Sequence, residues 1–398
     1  MNRLSQQLPV VVITKLPRWK YFQWFLLGFY QLKKKGRIRL KFHLDPASRL
    51  SLRVNNSFLL SVGKKLFPVK DAYNLEGYIS IDGRKKTFCI DSADSPYLLD
   101  SVLLEQVDVY FKMQCPETIE AKGFALTEQV CIPYCDHRHK DESLKSLTDR
   151  GERKPCSNLE NHLHKIKPLM VGPRRLARGN ASWALEKSYR RYLSSSRITA
   201  TKKLMCYFGN ALGPKPSSRV EKPDFDWESD LLSWFGDRVG HPNEKRAQAA
   251  ARMEGLGTKY DARIINPAHA DSGKKGRRED LVIPLRDFCD HIAHFEYNLN
   301  ISGYRLSMPN RFIESFMAGT AILTDRLKLK WYLPFDKEVV ETVEMGYLPL
   351  EKVDLRQFES DMKTLPAVKK EEVLEAFYRK WAPDVVAGYI VETVVGKE

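Results

Sequence analysis

No stretch of the 398 residues reaches the roughly 18 to 20 uninterrupted apolar residues that a membrane-spanning helix needs, so a transmembrane anchor is not expected. The short apolar run within MNRLSQQLPVVVITKLPRWK is bounded by Lys15 and is followed by no small-residue cleavage site, so it reads as a first strand rather than a secretory signal. Cysteine is sparse and odd in number: Cys89, Cys115, Cys131, Cys135, Cys156, Cys206 and Cys289 lack the dense spacing of a secreted disulfide framework. A cytoplasmic location follows as the expectation, compatible with peripheral attachment at the inner face of a membrane. The Asn180-Ala-Ser182 sequon is then incidental. Also missing are an RNP motif, a zinc-finger spacing, a helix-turn-helix signature and any internal repeat, so nucleic acid is not an expected partner.

Acidic residues are in deficit, 50 against 65 Lys and Arg, and the formal net charge of +15 calls for an anionic partner: nucleic acid, an anionic membrane surface or a phosphorylated substrate. Hydrophobic residues at 43% and aromatics at 11% suffice for real cores and speak against disorder. The length suits two domains.

Strand and helix patterns alternate. Residues 8–16 read as a buried strand, 19–33 as a helix and 38–44 as a second strand, a βαβ opening. Residues 73–82 and 86–91 read as strands about the Asp82-Gly83 turn, and 107–112 as another. Polar, aperiodic residues 136–161 read as an exposed connection. Beyond it come a helix at 181–193, a strand at 203–208 ending at Gly209, a helix near 243–255, a strand at 262–266, a helix at 284–291, an extended segment at 294–300 and an apolar run at 321–323. Residues 369–395 are helical with a break at Pro383. The expected fold is α/β with two Rossmann-like domains, 1–165 and 166–370, and a C-terminal helical segment, 371–398, packing back on the first.

In an open parallel sheet, ligands bind beyond the carboxyl ends of the strands, where helix N-termini offer free N–H groups and partial positive charge. The segment after Asn300 has that place. Ser302, Gly303, Tyr304 and Ser307 make a polar turn suited to a diphosphate, Pro309 stands near the start of the next helix, and Arg305 and Arg311 can bond phosphate oxygens bidentately. Glu314, one turn after Arg311, can accept from sugar hydroxyls, or can simply pair with Arg311 on the helix surface.

The run Glu314-Ser-Phe-Met-Ala-Gly319-Thr320-Ala-Ile-Leu resembles the donor-site motif of GT-B glycosyltransferases, in which a Glu precedes Gly-Thr by five residues and a buried strand follows. Ser307-Met-Pro-Asn-Arg311 is similar to the serine and arginine pattern of exostosin-like members. The motif resemblance covers about fifty residues, 287–336. It implies a GT-B-like architecture, a nucleotide-sugar donor held through its diphosphate by basic residues and through ribose or sugar by Glu314, and a glycan or lipid-linked glycan as acceptor. Gly209 and Lys215, after the first strand of the second domain, fall where the family's loop approaches the donor phosphate. Retaining families often carry another Glu eight residues earlier, and Leu306 stands there, so the resemblance leans toward an inverting enzyme. No metal or other cofactor is expected, because basic residues and helix dipoles can stabilise the leaving diphosphate.

An inverting transferase needs a base for the acceptor hydroxyl. Asp91 and Asp94, in CIDSAD after a strand end, are the candidates, with His43 or Asp45 as alternatives; each can equally cap a turn. Lys112 ends its strand toward the same cleft or snorkels to solvent. Other classes compatible with these residues are a basic nucleic-acid binder, a sugar-nucleotide epimerase and a non-catalytic binder. The Cys131, Cys135, His137, His139, Cys156, His162 and His164 cluster lacks the paired spacing of a zinc site. Aromatic residues 19–30 followed by Lys33, Lys34, Lys35, Arg37 and Arg39 read as the first crossover helix with a basic end, or as a membrane-surface element.

Overall fold

The valine run after Pro9 forms β1 (Val10–Lys15) in the computed structural model, which describes residues 7–17, 20–44, 46–53, 73–92, 101–116, 119, 159–173, 175–209, 249, 253, 256–265, 285–301, 308–324, 329–337, 339–342 and 355–396. A 3-10 turn at Lys20–Phe22 leads into α1 (Gln23–Lys34), and the chain returns as β2 (Arg39–Phe42), parallel to β1. The βαβ opening is thus present. Trp24, Phe25, Leu26, Leu27 and Phe29 of α1 are all fully buried, so α1 is a crossover helix and exposes only its basic end.

After α2 (Pro46–Arg53), strands β3 (Asn74–Ile81) and β4 (Arg84–Asp91) form a hairpin closed by Asp82 and Gly83, with φ of 49° and 75°. Positive φ at both central residues matches the turn whose twist follows that of the strands. A two-residue connection joins only antiparallel strands, so β3 runs against β4, and it pairs antiparallel with β1 as well. The first sheet is therefore mixed, unlike a pure Rossmann sheet. Helix α3 (Ser101–Gln106) leads to β5 (Val109–Lys112), and β6 (Ile166–Pro168) adds outside it, giving the order β2-β1-β3-β4-β5-β6. Since β6 pairs with β5, the first sheet runs three residues past the boundary expected at 165.

Helix α4 (Ser182–Leu193) precedes the second sheet, whose strands are β7 (Lys202–Gly209), β8 (Tyr260–Ile265), β9 (Phe295–Asn300), β10 (Ala321–Thr324) and β11 (Val340–Thr342). Every pairing is parallel, in the order β8-β7-β9-β10-β11. Helix α5 (Leu285–Ile292) precedes β9, and α6 (Arg311–Ala318) joins β9 to β10. The end of α6 is sharply defined: Gly319 has φ 73°, its N–H reaches Phe316 O, and Thr320 N–H reaches Ser315 O. These are the two bonds of a Schellman cap, which stops the helix and turns the chain into β10. Thr320 Oγ1, fully buried, donates to Ile292 O or Phe295 O, at 3.0 and 3.1 Å.

The chain ends with α7 (Leu355–Thr364), α8 (Lys370–Ala376), a π-helical turn over Phe377–Trp381 and α9 (Pro383–Val395). Pro383 opens α9, where its missing N–H costs nothing, so the expected break is a new start. Helix α9 returns to the first domain and lies against α1. The contact is close because residue 28 is glycine: a Cβ there would meet Ala387 Cβ at 2.7 Å and strike the Pro383 carbonyl. Trp24 Nε1 donates to Trp381 O at 3.1 Å, and Trp381 stacks on Phe316 of α6 at 4.3 Å. One buried cluster accordingly runs from Val11 in the first sheet through Trp24, Trp381 and Phe316 to Leu323 and Leu204 in the second.

Candidate functional site

The chain passes from β7 to β8 on one side, then crosses back to place β9 on the other side of β7. Crossovers diverging from neighbouring strands open a crevice beyond their carboxyl ends, the switch point where α/β sheets bind ligands. Gly209 ends β7 and Asn300 ends β9, so these two residues mark the crevice floor. Helix α6, which follows β9, brings Arg311 and Glu314 to the same edge of the sheet.

Strand β9 is unusual for a buried parallel strand in carrying Asn298 and Asn300, both with 0% exposure. Asn298 Nδ2 donates to Ser315 Oγ at 2.9 Å, and Ser315 Oγ donates to Arg311 O at 2.7 Å. Asn300 Nδ2 donates to Thr324 Oγ1 at 3.0 Å, while Oδ1 of each asparagine has no hydrogen-bond partner among the described residues. An acceptor left unpaired in a dry interior is costly, and such groups concentrate where a ligand or strain is accommodated.

Arg311 is half-buried at the first turn of α6, and Glu314 is 1% exposed. Tyr192 of α4 is near enough to feel Glu314: burial chiefly raises its phenol pKa, and the charge of Glu314 is among the lesser contributions. Tyr192 donates to Leu176 O at 2.9 Å.

The first domain grips the approach to α6. The Gln114 side chain, 2% exposed, donates from Nε2 to Met308 O and accepts from Met308 N at Oε1, both at 2.9 Å. Asn310, instead of capping α6, donates from Nδ2 to Gly172 O at 2.5 Å. Lys330 N donates to Cys115 O at 2.9 Å and Pro116 bridges Leu329. The tail of β5 therefore lies between residue 308 on one side and residues 329–330 on the other, and fixes the loop ends that frame the crevice.

Asp91 and Lys112 are cross-strand partners at the carboxyl ends of β4 and β5. Their charged atoms are 2.9 Å apart with both side chains at 0% exposure, and Tyr110 Oη donates to the same Asp91 Oδ2 at 2.9 Å. The Lys112 ammonium makes this contact off its hydrogen-bonding directions and has no other aligned acceptor. A carboxylate sealed from solvent beside an ammonium cannot meet an acceptor hydroxyl, so Asp91 sits as the partner of Lys112; likewise Lys112 neither faces the cleft nor snorkels. His43, at the end of β2, is exposed. Asp94, Asp45, Lys215, Ser302, Gly303, Tyr304, Arg305, Leu306 and Ser307 lie outside the described residues. Of the Cys/His cluster only His162 and His164 are described, and no group of three metal-capable side chains occurs among the described residues.

Sequence reasoning missed Gln114, Asn310 and the asparagine pair. Polar residues at alternate positions of the otherwise apolar FEYNLN strand were the available signal for the last.

No family model matches the chain, and no curated protein matches it. Among solved structures it is similar to the crystal structure of WaaG, a glycosyltransferase involved in lipopolysaccharide biosynthesis, at 12% identity and a TM-score of 0.35, over 96% of this chain and 98% of that one. It is also similar to a GtfA/B complex at 11% identity and a TM-score of 0.27, over 83% and 70% of the respective chains. Likenesses this loose leave the functional reading to the strand order and the residues above.

Proposed function

We propose that the chain is a GT-B-like glycosyltransferase that moves a sugar from a nucleotide-sugar donor to a glycan or glycolipid acceptor, with inversion and without a metal. The observation that carries this reading is the β7/β9 switch point followed directly by α6 with Arg311 and Glu314. The donor diphosphate lies against the α6 N-terminus, where the helix dipole and Arg311 stabilise the charge that grows as the nucleoside diphosphate leaves. Glu314 accepts from ribose or sugar hydroxyls; a carboxylate already shielded from water makes a stronger bond there than an exposed one. Residues 302–307 and those after Gly209, including Lys215, are assigned to the donor site on their sequence alone. The base comes from the first domain, Asp94 or His43, with Asp91 a positioning residue that neutralises Lys112 under the crevice.

Turnover with a panel of labelled nucleotide sugars tests this. Release of nucleoside diphosphate is expected with at least one donor, unchanged by chelator, and falling about tenfold or more in Arg311→Ala, as loss of a charge-assisted phosphate contact implies. An activity abolished by chelation would refute the metal-independent mechanism, and retention of the donor's anomeric configuration in the product would refute inversion.

A further inference from the structure

At the amino ends of β1, β2 and β4, a cavity of about 810 Å³ opens against helix α9. Ile38, Ile79, Ile81, Val391 and Val394 give it an apolar side. Gly388 of α9 lines it too, and a Cβ built there meets nothing within 4 Å, so the helix leaves open space where packing would normally place a side chain. The mouth is charged. Arg37, Arg84 and Lys86 border it against Asp82 and Glu392, and Glu392 is already engaged by Arg37 at 3.3 Å. Leu8, which lines the cavity, presents 42% of its surface beside the mouth.

A chamber of this size with aliphatic side chains on one side and charged groups at its entrance suits an amphiphile. The excess of cations selects an anionic head, and an exposed apolar residue within a basic rim is the pattern of a surface that meets a charged leaflet. We infer that this end of the first domain seats an anionic membrane lipid, with an acyl chain in the cavity and the headgroup phosphate on Arg37, Arg84 and Lys86. The membrane-facing element is thus the strand-end rim and not the aromatic body of α1.

The test is co-sedimentation of the full chain with equimolar phosphatidylglycerol–phosphatidylcholine vesicles and with pure phosphatidylcholine vesicles. Binding to the anionic vesicles alone is expected. Arg84→Glu with Lys86→Glu should weaken it on the order of tenfold or more. Gly388→Leu and, independently, Val391→Phe fill the chamber without touching the rim charges, and each should weaken binding about tenfold by excluding the chain. No binding to anionic vesicles, equal binding to neutral ones, or full binding by both cavity-filling variants would each overturn the inference. Nucleoside-diphosphate binding, read on the same proteins, should survive in all of them, which separates failure here from failure of the transferase reading.

Discussion

Lys112 and Asp91 show how much a single buried charge can decide. Removing one member strands the other in a dry site, so Lys112→Met alone should cost about 3–5 kcal/mol. Adding Asp91→Asn should recover much of that loss, read as the shift of the urea midpoint at constant slope. A non-destabilised Lys112→Met would mean that water reaches the pair. The two helical glycines on the α1–α9 side behave oppositely. Gly28→Ala drives a methyl into the Pro383 carbonyl and should destabilise by about 1–3 kcal/mol. Gly388→Ala meets open space and should stabilise by about 0.8–1 kcal/mol through helix propensity. Lys370 gives the pH signature. Its ammonium donates to Ile198 O and Ala293 O at 2.6 and 2.9 Å, yet burial lowers its pKa to about 8. The folded chain therefore releases this proton before the unfolded chain does, and between pH 8 and 10.5 the unfolded state binds more protons, so this group makes stability rise with pH. Above about pH 10 the trend reverses, because burial raises the phenol of Tyr389 to about 12 and the folded state then holds the extra proton. Lys370→Met should abolish the rise between pH 8 and 10 and leave the later fall, measured by denaturant titration across that range.

Among the elements, those legible in the sequence are the ones whose causes are local. The Asp82-Gly83 hairpin, the Gly319-Thr320 stop of α6 and the start of α9 at Pro383 each follow from one or two residues with a restricted backbone. The antiparallel pairing of β3 with β4 was implicit in their turn, since a two-residue loop leaves no alternative, whereas the pairing of β3 against β1 has no such local cause. The grip of Gln114 on Met308 spans 194 residues, and no local pattern marks a glutamine as the partner of a distant backbone. The same holds for Asn310 and Gly172, and for the stacking of Trp381 on Phe316. Gln114→Ala leaves both backbone groups of Met308 unpaired in a buried junction. It should speed amide exchange at Met308 and weaken nucleoside-diphosphate binding while both sheets stay folded. Unchanged exchange at Met308 would show that the clamp does not order the α6 approach.

At the scale of the whole molecule, charge and shape are divided between two ends of the strands. The carboxyl ends of the second sheet carry the crevice with buried polar groups, and the amino ends of β1, β2 and β4 carry the cavity with its charged mouth. The net charge of +15 pointed to anionic partners without saying where they bind. The proposed diphosphate site and the proposed lipid face fall on different sheets, a partition that depends on which strand ends share an edge and so is invisible in composition. The π-helical turn and α9, wedged against α1 and α6, tie the two domains into one core; no described helix is long and apolar enough to cross a membrane. The central claim is that the β7/β9 crevice with α6 holds a nucleoside diphosphate. Isothermal titration of the full chain with a panel of nucleoside diphosphates tests it most directly. Saturable binding of at least one, weakened about tenfold or more in Arg311→Ala, is the expected result. Absence of saturable binding by all of them, or equal affinity in Arg311→Ala, would contradict it.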